Sequence, residues 1–208
     1  MQTTVIDHPL VAERLSILRD AQTPNALFRQ TLDALATMLI YEATRPLALD
    51  HLEVITPMGR AGGVRLNAAP MLVPILRAGA GMVDAALRLL PSAEVGYVGV
   101  SRNETTFQPH EYLAKLPASL VGRPTFVLDP MLATGGSLAH ALSLLAARHA
   151  PEPITCVCVL AAPEGLQRIE QCGVDVRVVT AAIDDHLDER AFIVPGLGDA
   201  GDRQFGLW

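Results

Sequence analysis

From Met71 onward, short apolar runs alternate with segments whose apolar residues recur at helical spacing, and this alternation constrains the fold of the 208-residue chain more than any other feature. Met71 to Leu76 precedes a helical pattern from about Gly79 to Leu90, and Val95 to Val100 reads as a strand. Thr125 to Leu128 precedes a segment in which Leu138, Ala141, Leu142 and Leu145 share one face up to the stop at Pro151. Ile154 to Leu160 precedes a helix through Leu166 and Ile169, and Val174 to Thr180 is the last strand. Such alternation predicts an α/β fold, a parallel sheet covered by helices on both faces, with ligands at the carboxyl ends of the strands.

Two helices are expected before the alternation starts, His8 to Asp20 and Pro24 to Ala43. Thr23 is the expected cap of the second, with Pro24 at the first helical position and Leu27, Leu32, Leu35 and Leu39 on one apolar face. Two other stretches fall outside the pattern. Ser101 to Leu120 is polar and rich in turn residues, which suits an arm; in Ile183 to Trp208, the run Pro195 to Asp202 reads as too glycine-rich for regular structure.

Composition excludes several functions. Half the residues are apolar, the net charge is -6 and the pI is near 5.4, so a general nucleic-acid or anionic-membrane surface is not expected. The first residues lack the basic and apolar regions of a signal peptide, and no apolar run reaches membrane length, which predicts a cytoplasmic protein. Lys115 is the sole lysine, so neither a P-loop nor an obvious Schiff-base lysine is present. Cys156, Cys158 and Cys172 lack further ligands at metal-binding spacing and read as small buried thiols, and the six histidines form no catalytic spacing.

The segment with most chemical content joins the strand ending at Leu128 to the helix that follows. It reads Asp129, Pro130, Met131, Leu132, Ala133, Thr134, Gly135, Gly136, Ser137. At the amino end of a helix unpaired N–H groups converge and the helix dipole favours an anion; glycines allow close approach, and Thr134 and Ser137 add hydroxyl donors. Asp129 would repel phosphate, so it is expected to face sugar hydroxyls or a phosphate-bound metal. Arg77 ends the strand Val73 to Leu76, and Arg102 ends the strand before the arm. Both belong at the ligand edge, where arginine binds phosphate oxygens in pairs.

The run Val127 to Ser137 resembles the PRPP-binding loop of type I phosphoribosyltransferases. More narrowly, Tyr41 to Thr44, Pro74 to Gly79, Asp129 to Ser137, Ala161 to Gly165 and Pro195 to Asp202 are similar to the uracil phosphoribosyltransferase family, in that family's order. The resemblance implies a parallel-sheet, Rossmann-like core spanning 1–208. It adds amino-terminal helices at about 8–43, an arm at about 101–120 and a carboxyl-terminal base-binding hood at about 183–208. It implies transfer of phosphoribose from PRPP to N1 of uracil, giving UMP and diphosphate with inversion at the anomeric carbon. By the same resemblance, Arg77 and Arg102 serve the diphosphate, Asp129 to Ser137 the ribose and its 5-phosphate, and Asp199 PRPP. Ile193, Gly198, Asp199 and Ala200 form the uracil site. Mg2+ is expected to be held through PRPP rather than by assigned protein ligands. Small-molecule substrates, a GTP effector in some members and a homo-oligomer are the partners implied.

Pro130 stands where many related enzymes carry a second acid, which is the uracil family's own form. Ser101 departs from the aromatic residue expected before Arg102. Two other readings stay open at this level: a non-catalytic PRPP-sensing or RNA-binding regulator of the same fold, and a transferase for another base.

Overall fold

The computed structural model describes residues 1–102 and 109–206. The chain opens with β1 (Gln2–Val5), α1 (Pro9–Arg19) and α2 (Asn25–Ala43), followed by a hairpin of β2 (Leu49–Thr56) and β3 (Gly59–Leu66). The alternating part then begins with β4 (Met71–Leu76), a 3-10 turn over Ala78–Met82, α3 (Val83–Leu89), β5 (Glu94–Val95) and β6 (Tyr97–Arg102). It continues with β7 (Pro109–Lys115), β8 (Thr125–Leu128), β9 (Met131–Leu132), α4 (Gly136–Ala146), β10 (Ile154–Ala161), α5 (Pro163–Glu170) and β11 (Val176–Ile183). The chain closes with β12 (His186–Leu187), β13 (Ile193–Val194) and α6 (Ala200–Phe205).

The main sheet runs β1-β11-β10-β8-β4-β6-β7, and each neighbouring pair is parallel except β6 with β7. Period-2 alternation divides the strands between two cores. Leu72, Phe126, Leu128, Val157 and Val159 pack with α1, α2 and α3 on one face, while Met71, Val73, Val127, Cys156 and Cys158 pack with α4 and α5 on the other. β10 is buried at every position, as a central parallel strand covered on both faces must be. Phe126 is 2 % exposed, so truncating it to alanine is expected to cost about 3–5 kcal/mol.

Several expectations need correction. α2 begins at Asn25, with Pro24 as an extended cap lacking a side-chain bond; the Thr23 hydroxyl instead donates to the Ile17 carbonyl at 2.7 Å. Leu27 is exposed and Phe28 takes its place in the core, while Leu32, Leu35 and Leu39 are buried as expected. The segment after Arg77 starts as a 3-10 turn before becoming helical at Val83. The run Pro195 to Asp202 is not wholly irregular, since α6 begins at Ala200. Part of the arm is the regular strand β7, paired antiparallel with β6, whereas 103–108 lie outside the described residues. β1 and the β2–β3 hairpin are additional elements, the hairpin forming its own two-stranded sheet.

Candidate active site

Two neighbouring strands at the centre of the sheet set the site. From β4 the chain moves outward to β6, whereas β8 lies on the opposite side of β4, so the order reverses between β4 and β8. At such a switch point the connections leave in opposite directions and open a crevice at the carboxyl ends of the strands. Arg77 follows β4 and Asp129 follows β8, which places them at the two sides of that crevice. A cleft of ≈ 590 Å³ occupies it. Arg77, Asp129, Met131, Ala133 and Ser137 line the sheet side; Arg190, Phe192, Ile193 and the run Gly198 to Gly201 line the hood side.

A smaller hollow of ≈ 60 Å³ sits within the run from Asp129 to Leu138. Gly135 is the cap residue of α4 with φ 72°, a left-handed conformation that glycine adopts without a Cβ penalty. The Gly136 N–H points back at the Thr134 hydroxyl oxygen, 3.4 Å away. Behind the loop, the first turn of α5 comes so close that a Cβ on Gly165 would lie 2.3 Å from the Ala133 carbonyl oxygen. The loop is therefore backed by the first turn of α5, while the same run of residues lines the hollow.

Asp129 is half-buried, and its carboxyl is pushed up to about 7. Removal from water is the larger cause. The Met131 N–H pulls in the opposite direction, and the negative charge of Asp199 adds to the rise. The two carboxylates thus oppose one another electrostatically in the cleft that both line.

On the opposite wall, Arg77 donates from Nη2 to Asp202 Oδ1 at 2.8 Å. Asp199 accepts from the Asp202 N–H at 2.9 Å and so caps α6, whose first turn carries Asp202 to Arg77. The hood itself is braced from the start of the chain. Arg19, at the end of α1, donates to both oxygens of Asp184 and to the Gly196 carbonyl, and Asp184 accepts from the Gly196 N–H. Arg203 donates to the carbonyls of Leu18, Leu197 and Asp20 and lies 4.5 Å above the Phe28 ring. At the tip, Asp188 accepts from the N–H groups of Arg190 and Phe192, which supports Ala191 at φ 63°.

Of the residues singled out in the sequence, Arg77, Asp129, Met131, Ala133, Ser137, Ile193, Gly198, Asp199 and Ala200 line the large cleft. Leu132, Thr134, Gly135 and Gly136 line the small hollow. Pro130 lines neither; it is buried, and its carbonyl accepts from the Val159 and Leu160 N–H groups. Arg102 ends β6 at the same sheet edge, but its side chain lies outside the described structure. Sequence reading did not single out Arg190 and Phe192 as lining residues, nor the bracing by Arg19, Asp184 and Arg203. Arg190 and Phe192 did carry a signal, being a cation and an aromatic a short step before Ile193.

Residues 5–207 match the uracil phosphoribosyltransferase family. The chain belongs to that family. A curated uracil phosphoribosyltransferase from Corynebacterium glutamicum is 52% identical over 206 residues, 99% of this chain and 97% of that one, and one from Corynebacterium diphtheriae is likewise 52% identical over the same shares. A solved protein from Aquifex aeolicus is 39% identical, covers 99% of both chains and superposes with a TM-score of 0.93. An adenine phosphoribosyltransferase from Thermoanaerobacter pseudethanolicus superposes with a TM-score of 0.51 at 12% identity, covering 80% of this chain and 84% of that one; it shares the fold. Membership of the family makes the chain a pentosyltransferase with the type I phosphoribosyltransferase fold.

Proposed function

We propose that this chain transfers phosphoribose from PRPP to N1 of uracil, releasing diphosphate and UMP with inversion at the anomeric carbon. The observation that carries the reading is the continuity of the two hollows: the phosphate-sized cradle at Thr134 to Ser137 shares Asp129, Met131, Ala133 and Ser137 with the larger cleft walled by Arg77 and the hood. A 5-phosphate seated on the cradle leaves the ribose over Asp129, whose carboxyl accepts from sugar hydroxyls, and directs the diphosphate towards Arg77 and the end of β6 at Arg102. Uracil then lies against Ile193, Gly198, Asp199 and Ala200.

Positive charge develops on the ribose ring as negative charge grows on the departing diphosphate. A guanidinium placed at that leaving group stabilises the transition state more than the ground state, and uracil itself needs little activation. Uracil presents an acceptor at O4 and a donor at N3, which peptide N–H and C=O groups of the glycine-rich loop match. Cytosine reverses both and would leave buried polar groups unpaired, a cost of about 1–3 kcal/mol for each.

Among the described residues no three His, Cys, Asp or Glu side chains converge into a protein-only metal cage. Asp129 and Asp199 in one cleft nonetheless suit Mg2+, which takes one or two carboxylates and fills its remaining positions with water and substrate phosphate oxygens. Those two residues would hold the ion with the substrate, and it would supply charge neutralisation for the leaving diphosphate.

We read 1–208 as one phosphoribosyltransferase domain acting in the cytoplasm; among the described residues no helix is long and apolar enough to cross a membrane. Self-association is supported by exposed Leu10 and Tyr41 beside an apolar groove between α1 and α2, and by exposed Ile55 and Met58 on the hairpin. Initial-rate assays with PRPP and Mg2+, offering uracil, cytosine, hypoxanthine and orotate together, with and without GTP, test the reading. Selective formation of UMP is expected. Absence of any nucleotide product under all of these conditions refutes it.

A further inference from the structure

Among the described residues, the cradle assigned above to the 5-phosphate offers amide and hydroxyl donors but no cationic side chain. Of the described residues lining it, only Asp129 has an ionisable side chain, and ionised it has the wrong sign for an anion. A phosphate monoester carries between one and two negative charges at neutral pH, and helix-end amides supply only partial positive charge.

A guanidinium lies beside this cradle. Arg168 belongs to α5, the helix whose first turn backs the loop through Gly165. Its Cβ is 3.3 Å from where a Cβ on Gly135 would stand, so the base of the side chain rests directly on the loop. Its Nη1 is 3.6 Å from where a Cβ on Gly136 would stand, and the Thr134 hydroxyl oxygen is 3.6 Å from that same point. Gly136 is therefore flanked by a donor of the cradle and by an arginine head group. Arg168 is exposed, and it makes no hydrogen bond or ion pair among the described residues, unlike Arg19, Arg77 and Arg123. An unpaired arginine on a helix is ordinarily a solvated one; this one has its stem beside Gly135 and its head group beside Gly136 of a phosphate loop, and glycine at 136 leaves the intervening space clear.

We propose that Arg168 is a further phosphate-binding residue, its guanidinium reaching past Gly136 from α5 onto the 5-phosphate of PRPP and of UMP. The inference rests on the reading of this site as a PRPP site. It assigns Arg168 to the 5-phosphate alone, because diphosphate and base are placed at Arg77 and the hood, on the other side of Asp129.

Titration calorimetry of the full chain with ribose 5-phosphate, UMP, PRPP and diphosphate, for the wild type, R168A and R168K, provides the test. R168A is expected to weaken ribose 5-phosphate and UMP by roughly three- to tenfold, as suits one exposed charge-assisted contact, and to flatten the salt dependence of both. R168K is expected to recover part of the loss, while diphosphate binds all three proteins alike. Unchanged ribose 5-phosphate and UMP affinities in R168A, alongside normal binding by the wild type, overturn the assignment of Arg168 and leave the proposed function standing. Wild-type protein that binds neither UMP nor PRPP overturns both.

Discussion

Arg19 and Asp184 are joined by two hydrogen bonds, 2.8 and 2.6 Å long, across a sequence separation of 165 residues. The pair ties the end of α1 to the point where β11 gives way to the hood, and both partners also bond the backbone of Gly196. The loop carrying Gly198, Asp199 and Ala200 is thus positioned by a helix from the opposite end of the chain. The amino-terminal helices do more than cover one face of the sheet: they set the geometry of the hood wall.

Asp184→Ala is accordingly expected to lower stability by about 2–4 kcal/mol, because Arg19 and the Gly196 N–H both lose their acceptor where little water replaces it. Burial alone would push the Asp184 carboxyl up, but the Arg19 and Gly196 hydrogen bonds and the Arg19 charge outweigh it and leave the carboxyl below its ordinary value. Stability from this depressed group is fully present above the unfolded-state value near 4 and is lost as pH falls through the lower folded value. Urea unfolding at pH 7 and in the acid range, for wild type and Asp184→Ala, should show the difference between the two proteins shrinking in acid.

Gly165→Ala should damage the cradle from behind, since Gly165 is not itself one of its lining residues. The added methyl would meet the Ala133 carbonyl oxygen at 2.3 Å and the Leu132 carbonyl oxygen at 2.9 Å, both of them backbone, so the loop or the helix has to move. A loss of about 1–3 kcal/mol in stability is expected, together with a raised KM for PRPP. Thermal melts and steady-state kinetics on the same preparation separate the two effects. A KM equal to the wild type's would show that the loop tolerates displacement.

Much of this arrangement was open to reading in one dimension. The central strands β4, β8 and β10 are apolar runs because they are buried on both faces, and Gly135 and Gly136 stand out because the turn into α4 needs them. Arg77 and Asp129 could be placed at a common edge because parallel strands end on the same side. β1 escaped because Gln2, Thr3, Thr4 and Val5 form an edge strand with only partial burial, which leaves a weak hydrophobic signal. The β2–β3 hairpin is largely exposed, so it shows no core-facing stripe, although Val54, Ile55 and Thr56 are strand-favouring residues. The cap at Thr23 failed for a different reason: α2 starts at Asn25 with Pro24 as its cap, one residue later than expected, and the Thr23 hydroxyl donates to the Ile17 carbonyl in the preceding helix instead. The braces through Arg19 and Arg203 depend on contacts made only after the chain has folded back, and no local pattern announces them.

Replacing Asp129 with asparagine should change the pH dependence of stability in a direction opposite to that of Asp184. With its folded-state value raised to about 7, Asp129 is protonated in the native protein over a range where the unfolded chain has already ionised. Its contribution is therefore fully present below the unfolded value near 4 and is lost as pH rises through about 7. Asp129→Asn, which stays neutral throughout, should remove this decline. Denaturant midpoints of ligand-free protein between pH 4 and 8 would test it, and parallel curves for wild type and variant would show that the Asp129 carboxyl is not held neutral by its surroundings.

Asp202 should act on catalysis through Arg77, which it holds at 2.8 Å, with Gly201 so near that a Cβ there would lie 3.8 Å from the same guanidinium. Arg77→Ala removes charge where the diphosphate leaves, so kcat/KM for PRPP is expected to fall on the order of 100-fold, in line with loss of one preorganised donor at a developing anion. Asp202→Ala leaves that charge but lets the half-exposed side chain wander, and a smaller fall of roughly three- to tenfold is expected. If Asp202 works by orienting Arg77, the double variant should resemble Arg77→Ala alone, because the second deletion has nothing left to misplace. Losses that multiply instead would place Asp202 in direct contact with substrate, independent of the arginine it now holds.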